Sequence, residues 1–519
     1  MVRDSARQAV EVELKLEFDP ADSARIAAHP ALEASLGPAE DQELVSIYFD
    51  TPDCALHGLG VYVRIRERGG RFVQTIKRAK SKTDLLERLE WERELPNGTL
   101  DLDGVEGSVL EPVLTQAIRA SLGPVFETRV TRHVCRVAQD DAEIEVATDR
   151  GEIATRTHTL PISEVELELK RGNKRALFRL AHVLAETVPL RLEVKTKSER
   201  GYELLQDRVY QAEKAAGVDI APEMETGEAF RAIAFSCLRQ IMANELSMCA
   251  GQVESLHQMR IGLRRLRAAI AIFADVVDDD DLERIKGELA WITKELGPAR
   301  DLDVFGAEVL RPLRDKRPED PVIAASYREF EQKRMAAYAR AAAAARSLRF
   351  RAAVLDLAEW IETGPWATDD DKERRALRTR SVADHAEKKL AKLRKRIKKK
   401  GADLRHRRVS QRHRLRIRAK RLRYATEFFA GTFPGEASAK RRAEALSALK
   451  DLQDALGGLN DLATRNVLIA DSLDSDPRTE AQFATAPGLA DAEAQAENLL
   501  RKAEQAFARF AETKAFWKA

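Results

Sequence analysis

Glu11, Glu13 and Lys15 stand at alternate positions in "EVELKLE" (11–17). Alternate side chains of a strand share a face. Two carboxylates and an ammonium therefore project together, with Val12, Leu14 and Leu16 behind them. The device recurs in "EVELELK" (164–170), where Glu164, Glu166, Glu168 and Lys170 share a face, and again in Glu143, Glu145 and Asp149. So many carboxylates suit a hard divalent cation, Mg²⁺ or Mn²⁺, which prefers oxygen ligands. Cations alternate in the same way: Arg64 and Arg66 in "VYVRIRE", and Arg191, Glu193, Lys195 and Lys197 in "LRLEVKTK". Guanidinium and ammonium groups hold phosphate oxygens. Metal-binding acids beside phosphate-binding cations are the minimum equipment for phosphoryl transfer, which depends on positioning and charge neutralisation.

The elements that carry these residues are short, alternating and separated by turn residues, as in an antiparallel sheet. Such a sheet has two solutions. Its charged faces can meet solvent, the ordinary arrangement, or the sheet can close on itself with the charges inside a wet tunnel and the apolar faces covered by helices. Periodicity alone does not choose between them. Tyr48 and Trp91 could stack on a ring, though each is better placed as a core aromatic.

Near residue 220 the texture changes to long 3.6-period segments rich in Ala, Leu, Arg and Glu, which predict helices. "AGVDIAPEMET" (216–226) reads as a linker, dividing 1–215 from 227–519. The helical part is written twice. "HQMRIGLRRLRAAI" (257–270) and "HRLRIRAKRLRYAT" (413–426) place His257, Arg260, Arg264 and Arg267, and then His413, Arg416, Lys420 and Arg423, at identical offsets. On a helix these offsets fall in a sector of roughly 80° and form a cationic stripe roughly 15 Å long. That length suits an extended polyanion. "LGPARDLDVF" (296–305) follows the first stripe and "LGGLNDLATR" (456–465) the second. Two elements in the same order predict two related helical bundles about a pseudo-two-fold axis. Asp301, Asp303, Asn460 and Asp461 are expected to hold the arginines or cap helices.

With 519 residues, two or more domains are expected. Net charge is only +2, so a polyanion partner is signalled by local runs such as "KKLAKLRKRIKKK" (388–400), not by the balance. Four scattered cysteines with no CxxC exclude a disulfide framework and a zinc site. "MVRDSARQAV" lacks the apolar run of a secretory signal, and no stretch has the length of a membrane span. The setting expected is cytoplasmic. No P-loop, no GxGxxG after a strand and no GxSxG is present. Nucleic acid is disfavoured as a partner, because the basic region has few aromatics for base stacking.

These residues resemble two families. ExExK (Glu11, Glu13, Lys15), "SIYFDTPDCALHGLGVYVRIRE", "QTIK", "LEWERE", "EVELELK" and "KTKSERGYEL" stand in the order of the CYTH domain, the triphosphate tunnel metalloenzymes, over about residues 8–208. The duplicated His- and Arg-rich helix resembles the CHAD domain over roughly 225–515. The resemblance implies an α+β multidomain chain: an eight-stranded antiparallel tunnel barrel with covering helices, then an all-α duplicated bundle. It implies metal ligation by Glu11 and Glu13 with Asp149, Glu164, Glu166 and Glu168. It implies a triphosphate held by Arg64, Arg66, Lys77, Lys195 and Arg132, with Arg129 as the other candidate at that last position, since "ETRVTRHVC" aligns two ways. Lys15 would orient the attacking water first and act as a base second, since surrounding acids favour its charged form. The activity implied is a metal-dependent inorganic triphosphatase acting on tripolyphosphate, with inorganic polyphosphate on the stripes. Other members act as class IV adenylate cyclases or thiamine triphosphatases, and a non-catalytic polyphosphate binder is the remaining alternative.

Overall fold

The computed structural model describes residues 7–33, 36–78, 85–472 and 492–519. The chain forms two compact units. The first comprises 1–214 with 238–247 and 345–364, and the second the remainder.

The first unit is built on one antiparallel sheet: β1 (Arg7–Glu17), β2 (Glu40–Asp50), β3 (Val61–Arg68), β4 (Arg71–Arg78), β5 (Glu87–Leu95), β6 (Gly123–Gln139), β7 (Ala142–Ala154), β8 (Thr159–Arg171) and β9 (Arg191–Leu192). Its order is β5-β4-β3-β2-β6-β7-β8-β1-β9, and β1 also pairs with β5. Residues 7–12 of β1 lie on β5 and residues 13–17 on β8, so eight strands close into a ring. The ninth, two residues long, borders the end of β1 at Leu16 and Glu17.

The choice left open by periodicity is thereby made. Closure turns the alternating charges inward and the apolar residues outward, where they need cover. Leu14, Leu16, Val165 and Leu167 are buried, as are Leu177, Phe178, Leu180, Ala181 and Leu184 of the helix Arg175–Ala185 packed on β1 and β8. Burying each large aliphatic side chain stabilises by roughly 1.5–3 kcal/mol. Around β3–β5 the outer cover is Val61, Val63, Ile76 and Trp91 against Leu56, Val105 and Leu110.

One end of the lumen is stopped. The helix Lys197–Leu205 begins with a capping box: Thr196 N–H donates to Glu199 Oε2 (2.8 Å) and Glu199 N–H to Thr196 Oγ1 (3.0 Å). Its Tyr202 and Leu204 pack among Leu44, Tyr48, Phe126, Val130, Ile153 and Ile162. Those strand residues share faces with Ser46, Arg132, Asp149 and Glu164, so the cluster fills the lumen rather than covering the outside. The helix comes so close that a Cβ at Gly201 would lie 2.2 Å from the Phe126 ring.

In the second unit the stripe-bearing helices Val253–Ile272 and Val409–Phe428 pack against each other. Each stripe meets its following element in the same way. A Cβ at Gly297 would lie 3.6 Å from a terminal nitrogen of Arg260, and one at Gly457 would lie 3.2 Å from a terminal nitrogen of Arg416. Arg260 and Arg416 hold the same offset in the two copies, so the glycine of each "LG" element leaves room for the equivalent guanidinium. Val382–Gly401 packs antiparallel to Val409–Phe428 as a hairpin, and Glu436–Ser472 lies on Val409–Phe428 and on Ala492–Glu512.

Candidate active site

Ring closure sets β7, β8 and β1 side by side. Asp149 is registered with Glu164, Glu166 with Lys15, and Glu168 with Glu13. Oxygens of Asp149, Glu164 and Glu166 lie within 4.8 Å of one another, all three residues buried. Cations fill the space between them. Lys197 Nζ is 2.7 Å from Asp149 Oδ2 and 3.0 Å from Glu166 Oε1, and also donates to Glu164. Arg132 forks onto Asp149 at 2.7 and 2.6 Å and reaches Glu166 Oε2 at 2.5 Å. Lys15 Nζ donates to Glu13 Oε2 at 2.9 Å and to Glu166. Arg200 Nη1 reaches Glu164 Oε2 at 3.3 Å.

A second group continues along the lumen. Lys77 Nζ lies 3.1 Å from Glu11 Oε2 and 3.0 Å from Glu90 Oε1, with Arg64 3.6 Å from Glu90. Arg66 Nε donates to Ser46 Oγ at 3.2 Å. Arg64 buries an Nε that meets no acceptor among the described residues. Glu168 pairs with Lys170 at 2.7 Å.

The electrostatics follow from crowding in a space shielded from water. Burial opposes the charge on Glu166, but Lys15, Lys197 and Arg132 outweigh it and hold the carboxyl well below the usual range. Asp149 is lowered likewise, with Lys197 and Arg132 overcoming burial. Glu164 goes the other way: burial, reinforced by Glu166, raises it despite Lys197. Burial and the neighbouring Arg64 and Arg132 pull Arg66 down to about 10. Burial opposes ionisation of Tyr48, yet Arg64 and Arg66 lower it. Arg66 and Tyr48 thus report a local excess of positive charge that an anion would relieve.

Two candidate residues lie elsewhere. Arg129 has the opposite strand parity to Arg132. It sits 60% exposed on the outer face, 2.5 Å from Glu127. Lys195 turns to Glu203 at 2.6 Å and Glu213 at 3.6 Å. Lys197 stands among the lumen carboxylates, with Arg200 one helical turn on. Tyr48 faces the lumen but is stacked on Phe126 at 4.5 Å, and Trp91 belongs to the outer cover.

Residues 9–202 match the family model of the CYTH domain and residues 232–470 that of the CHAD domain. The chain is a CYTH domain followed by a CHAD domain. A curated relative, an inorganic triphosphatase from Haemophilus influenzae, is 32% identical over 200 residues, which are 37% of this chain and 54% of that protein. The chain thus spans about half the length of this curated relative. Among solved structures, the CHAD domain from the plant Ricinus communis is 28% identical, covering 57% of this chain and 96% of that one at a TM-score of 0.48. PptA from Streptomyces chartreusis is 21% identical over 55% of this chain and 100% of its own, at a TM-score of 0.37.

In the CHAD domain, Arg260 donates to the Thr293 carbonyl at 3.1 Å and lies near Asp301. Burial and the adjacent Arg300 lower His257. Arg264 and Arg416 each bury an Nε without an acceptor among the described residues, while Arg423 is 3.1 Å from Glu427. Arg267 and His413 are exposed, and Lys420 is partly so. Asp303 does not hold a stripe arginine: it accepts from Tyr338 (2.6 Å) and Arg334 (3.4 Å). The side chains of Asn460 and Asp461 lie outside the described residues. No helix among the described residues is long and apolar enough to cross a membrane.

A clamp holds Lys197 and Arg200 in place. Arg239 donates to Val194 O (2.6 Å), Glu199 (2.8 Å) and Glu213 (3.2 Å), which ties down the helix start that carries Lys197. Arg191 joins Glu17, Glu193 (2.6 Å) and Glu245 (3.5 Å) beside it.

Proposed function

We propose that the CYTH domain is a metal-dependent inorganic triphosphatase that hydrolyses tripolyphosphate to phosphate and pyrophosphate. The observation that carries the reading is the convergence of Asp149, Glu164 and Glu166 with Lys15, Arg132 and Lys197 in one lumen. The donor set fits a hard cation: three close carboxylates, no thiolate or imidazole among them, already gathered around positive charge. These three, with Glu13, would hold Mg²⁺ or Mn²⁺. Glu11 and Glu168 would serve from the wider acidic wall. The bound ion would supply neutralisation of phosphate oxygens.

The chain's own residues do the rest. Arg64, Arg66, Lys77 and Arg132 grip the triphosphate, joined by Lys197 and Arg200; Arg129 and Lys195 are not assigned contact with it. The unpartnered Arg64 Nε and the cation-crowded Arg66 are the groups an anion satisfies. Lys15 orients the water between Glu13 and Glu166. The water oxygen bonds to a terminal phosphorus, the bond to the bridging oxygen breaks, and the two hydrogens of the water end on the two products. Water exclusion at the stopped end strengthens each of these charge contacts.

Within this reading, residues 1–215 carry the chemistry and 227–519, beyond the linker 216–226, bind inorganic polyphosphate through the two stripes. The buried Nε groups of Arg264 and Arg416, which meet no acceptor among the described residues, favour it. The setting is cytoplasmic, at polyphosphate granules where these exist. The test is phosphate release with Mg²⁺ or Mn²⁺ from tripolyphosphate, ATP, thiamine triphosphate and long polyphosphate, with cyclic AMP measured alongside. Tripolyphosphate should be the best substrate, and Glu13→Ala should abolish release while leaving polyphosphate binding intact. Normal turnover by Glu13→Ala would refute the site.

A further inference from the structure

The run "KKLAKLRKRIKKK" and the back of the second stripe helix are used by neither the tunnel nor the stripes. Between Glu387 and Glu427 the chain holds nineteen lysines and arginines and one acid, Asp403. A helix face built for solvation alone mixes signs, and i,i+4 acid–base pairs support it. Here such partners are scarce, and the i,i+4 pair of Arg423 with Glu427 (3.1 Å) lies at the end of the run.

Folding concentrates the charge further. In Val409–Phe428, Leu415, Ala419 and Leu422 are buried. The stripe of His413, Arg416, Lys420 and Arg423 lies on one side of that apolar sector. Arg414, Arg418 and Arg421, at i, i+4 and i+7, lie on the other, roughly 150° from the stripe. The 47%-exposed Ile417 separates the two. The opposing arm, Val382–Gly401, presents Lys392, Arg396 and Lys399 at the same i, i+4, i+7 spacing, all exposed. Arg396, Arg418 and Arg421 come close enough that burial and the other two cations lower Arg421, with no carboxylate acting in the opposite sense. None of these six residues makes an ion pair among the described residues. The first repeat lacks this row: Gln258 and Gly262 stand where Arg414 and Arg418 do, and Arg265, the counterpart of Arg421, is buried.

The geometry points to a second polyanion site on this hairpin: two antiparallel rows of cations, Lys392/Arg396/Lys399 and Arg414/Arg418/Arg421, that take one segment of an inorganic polyphosphate chain. The inference rests on polyphosphate being a ligand of the CHAD domain, and adds a face separate from the stripes. The rows carry no aromatic side chain, so a chain of phosphates without bases is the favoured occupant over nucleic acid.

The test uses the full chain and a fluorescently labelled long-chain polyphosphate in three variants. They are the hairpin variant Lys392→Glu/Lys399→Glu/Arg414→Glu, made wholly of exposed residues; the stripe variant Arg264→Glu/Lys420→Glu; and their combination. The hairpin variant should bind at least about tenfold more weakly at 0.15 M salt and show a shallower dependence of log K on log salt, with tripolyphosphate hydrolysis unchanged. The combination should lose binding beyond either alone. Wild-type affinity and salt slope in the hairpin variant overturn the inference whatever the stripe variant does. Wild-type binding by the stripe variant with loss in the hairpin variant instead overturns the stripe reading and leaves this site standing. Duplex DNA of equal charge outcompeting polyphosphate for the wild type, but not for the hairpin variant, overturns the assignment of the ligand.

Discussion

At the scale of single residues, each lumen charge is set by its neighbours, so single substitutions separate the roles. Glu166 accepts from Lys15, Lys197 and Arg132 at once. Glu166→Gln should lower phosphate release by roughly 100-fold or more, with far-ultraviolet circular dichroism unchanged; activity within threefold of wild type would remove Glu166 from the site. Arg132→Ala should cost a comparable factor, while Arg129→Ala on the outer face should leave turnover unchanged. The sequence motif around these two arginines allowed either. The β6–β7 register sets Arg132 opposite Asp149, in the lumen, and leaves Arg129 on the outer face. The place of Lys197 at a helix start was hidden for a related reason. Alternation through "LRLEVKTK" promises a strand, but the strand stops at Leu192 and a helix starts at Lys197. The signal was present in Thr196-x-x-Glu199, a capping box that marks a helix start.

At the scale of elements, the stopped end of the ring depends on close approach. Gly201→Ala drives a methyl group into Phe126 and should destabilise the first unit by about 1–3 kcal/mol, read as a lowered thermal midpoint; an unchanged midpoint would mean that the helix Lys197–Leu205 is not seated as described. Arg239→Met should leave the barrel folded but loosen that helix, raising KM for tripolyphosphate more than it lowers kcat.

The second unit carries its own pH dependence. Burial and then Lys389 push His385 down to about 3, against the pull of Asp275 and with Arg380 adding to the fall. Its folded pKa therefore lies below the ordinary 6.5, and the folded state binds fewer protons than the unfolded one between these values. This contribution to stability is complete above pH 6.5 and is lost as pH falls toward 3. It amounts to about 2 kcal/mol between pH 6.5 and 5. The thermal midpoint of the second unit should drop from pH 7 to pH 5, and His385→Phe should flatten that drop. The helices themselves were legible from their apolar period. His385 was not, because stacking on Phe273 at 4.7 Å joins residues more than a hundred positions apart.

At the scale of the molecule, both the alternating strands and the written-twice bundle could be read from sequence, because each repeats its pattern often enough to outweigh local ambiguity; that the strands close into a ring is decided by the β1–β5 pairing, which periodicity leaves open. What could not be read is how the helical segments divide. Leu238–Ser247 and Ala345–Gly364 look like their neighbours, yet they cluster with the barrel. Their allegiance shows only in pairings such as Arg239 with Glu199, His182 with Glu359 (2.9 Å) and Lys174 with Glu362 (3.8 Å). Polyphosphate binding by the whole chain should weaken steeply with salt, since several phosphates are neutralised at once; a flat salt response would mean that the cationic helices are bystanders.

The chain passes from one compact body to the other at 214/215, 237/238, 247/248, 344/345 and 364/365. A gene cut at the apparent seam would therefore not liberate a finished catalyst. It would leave Arg191 short of Glu245 and the Lys197 helix short of Arg239. Anyone borrowing this barrel as a stand-alone tool inherits two stretches of what looks like its neighbour, and must graft them back or replace the charges they bring.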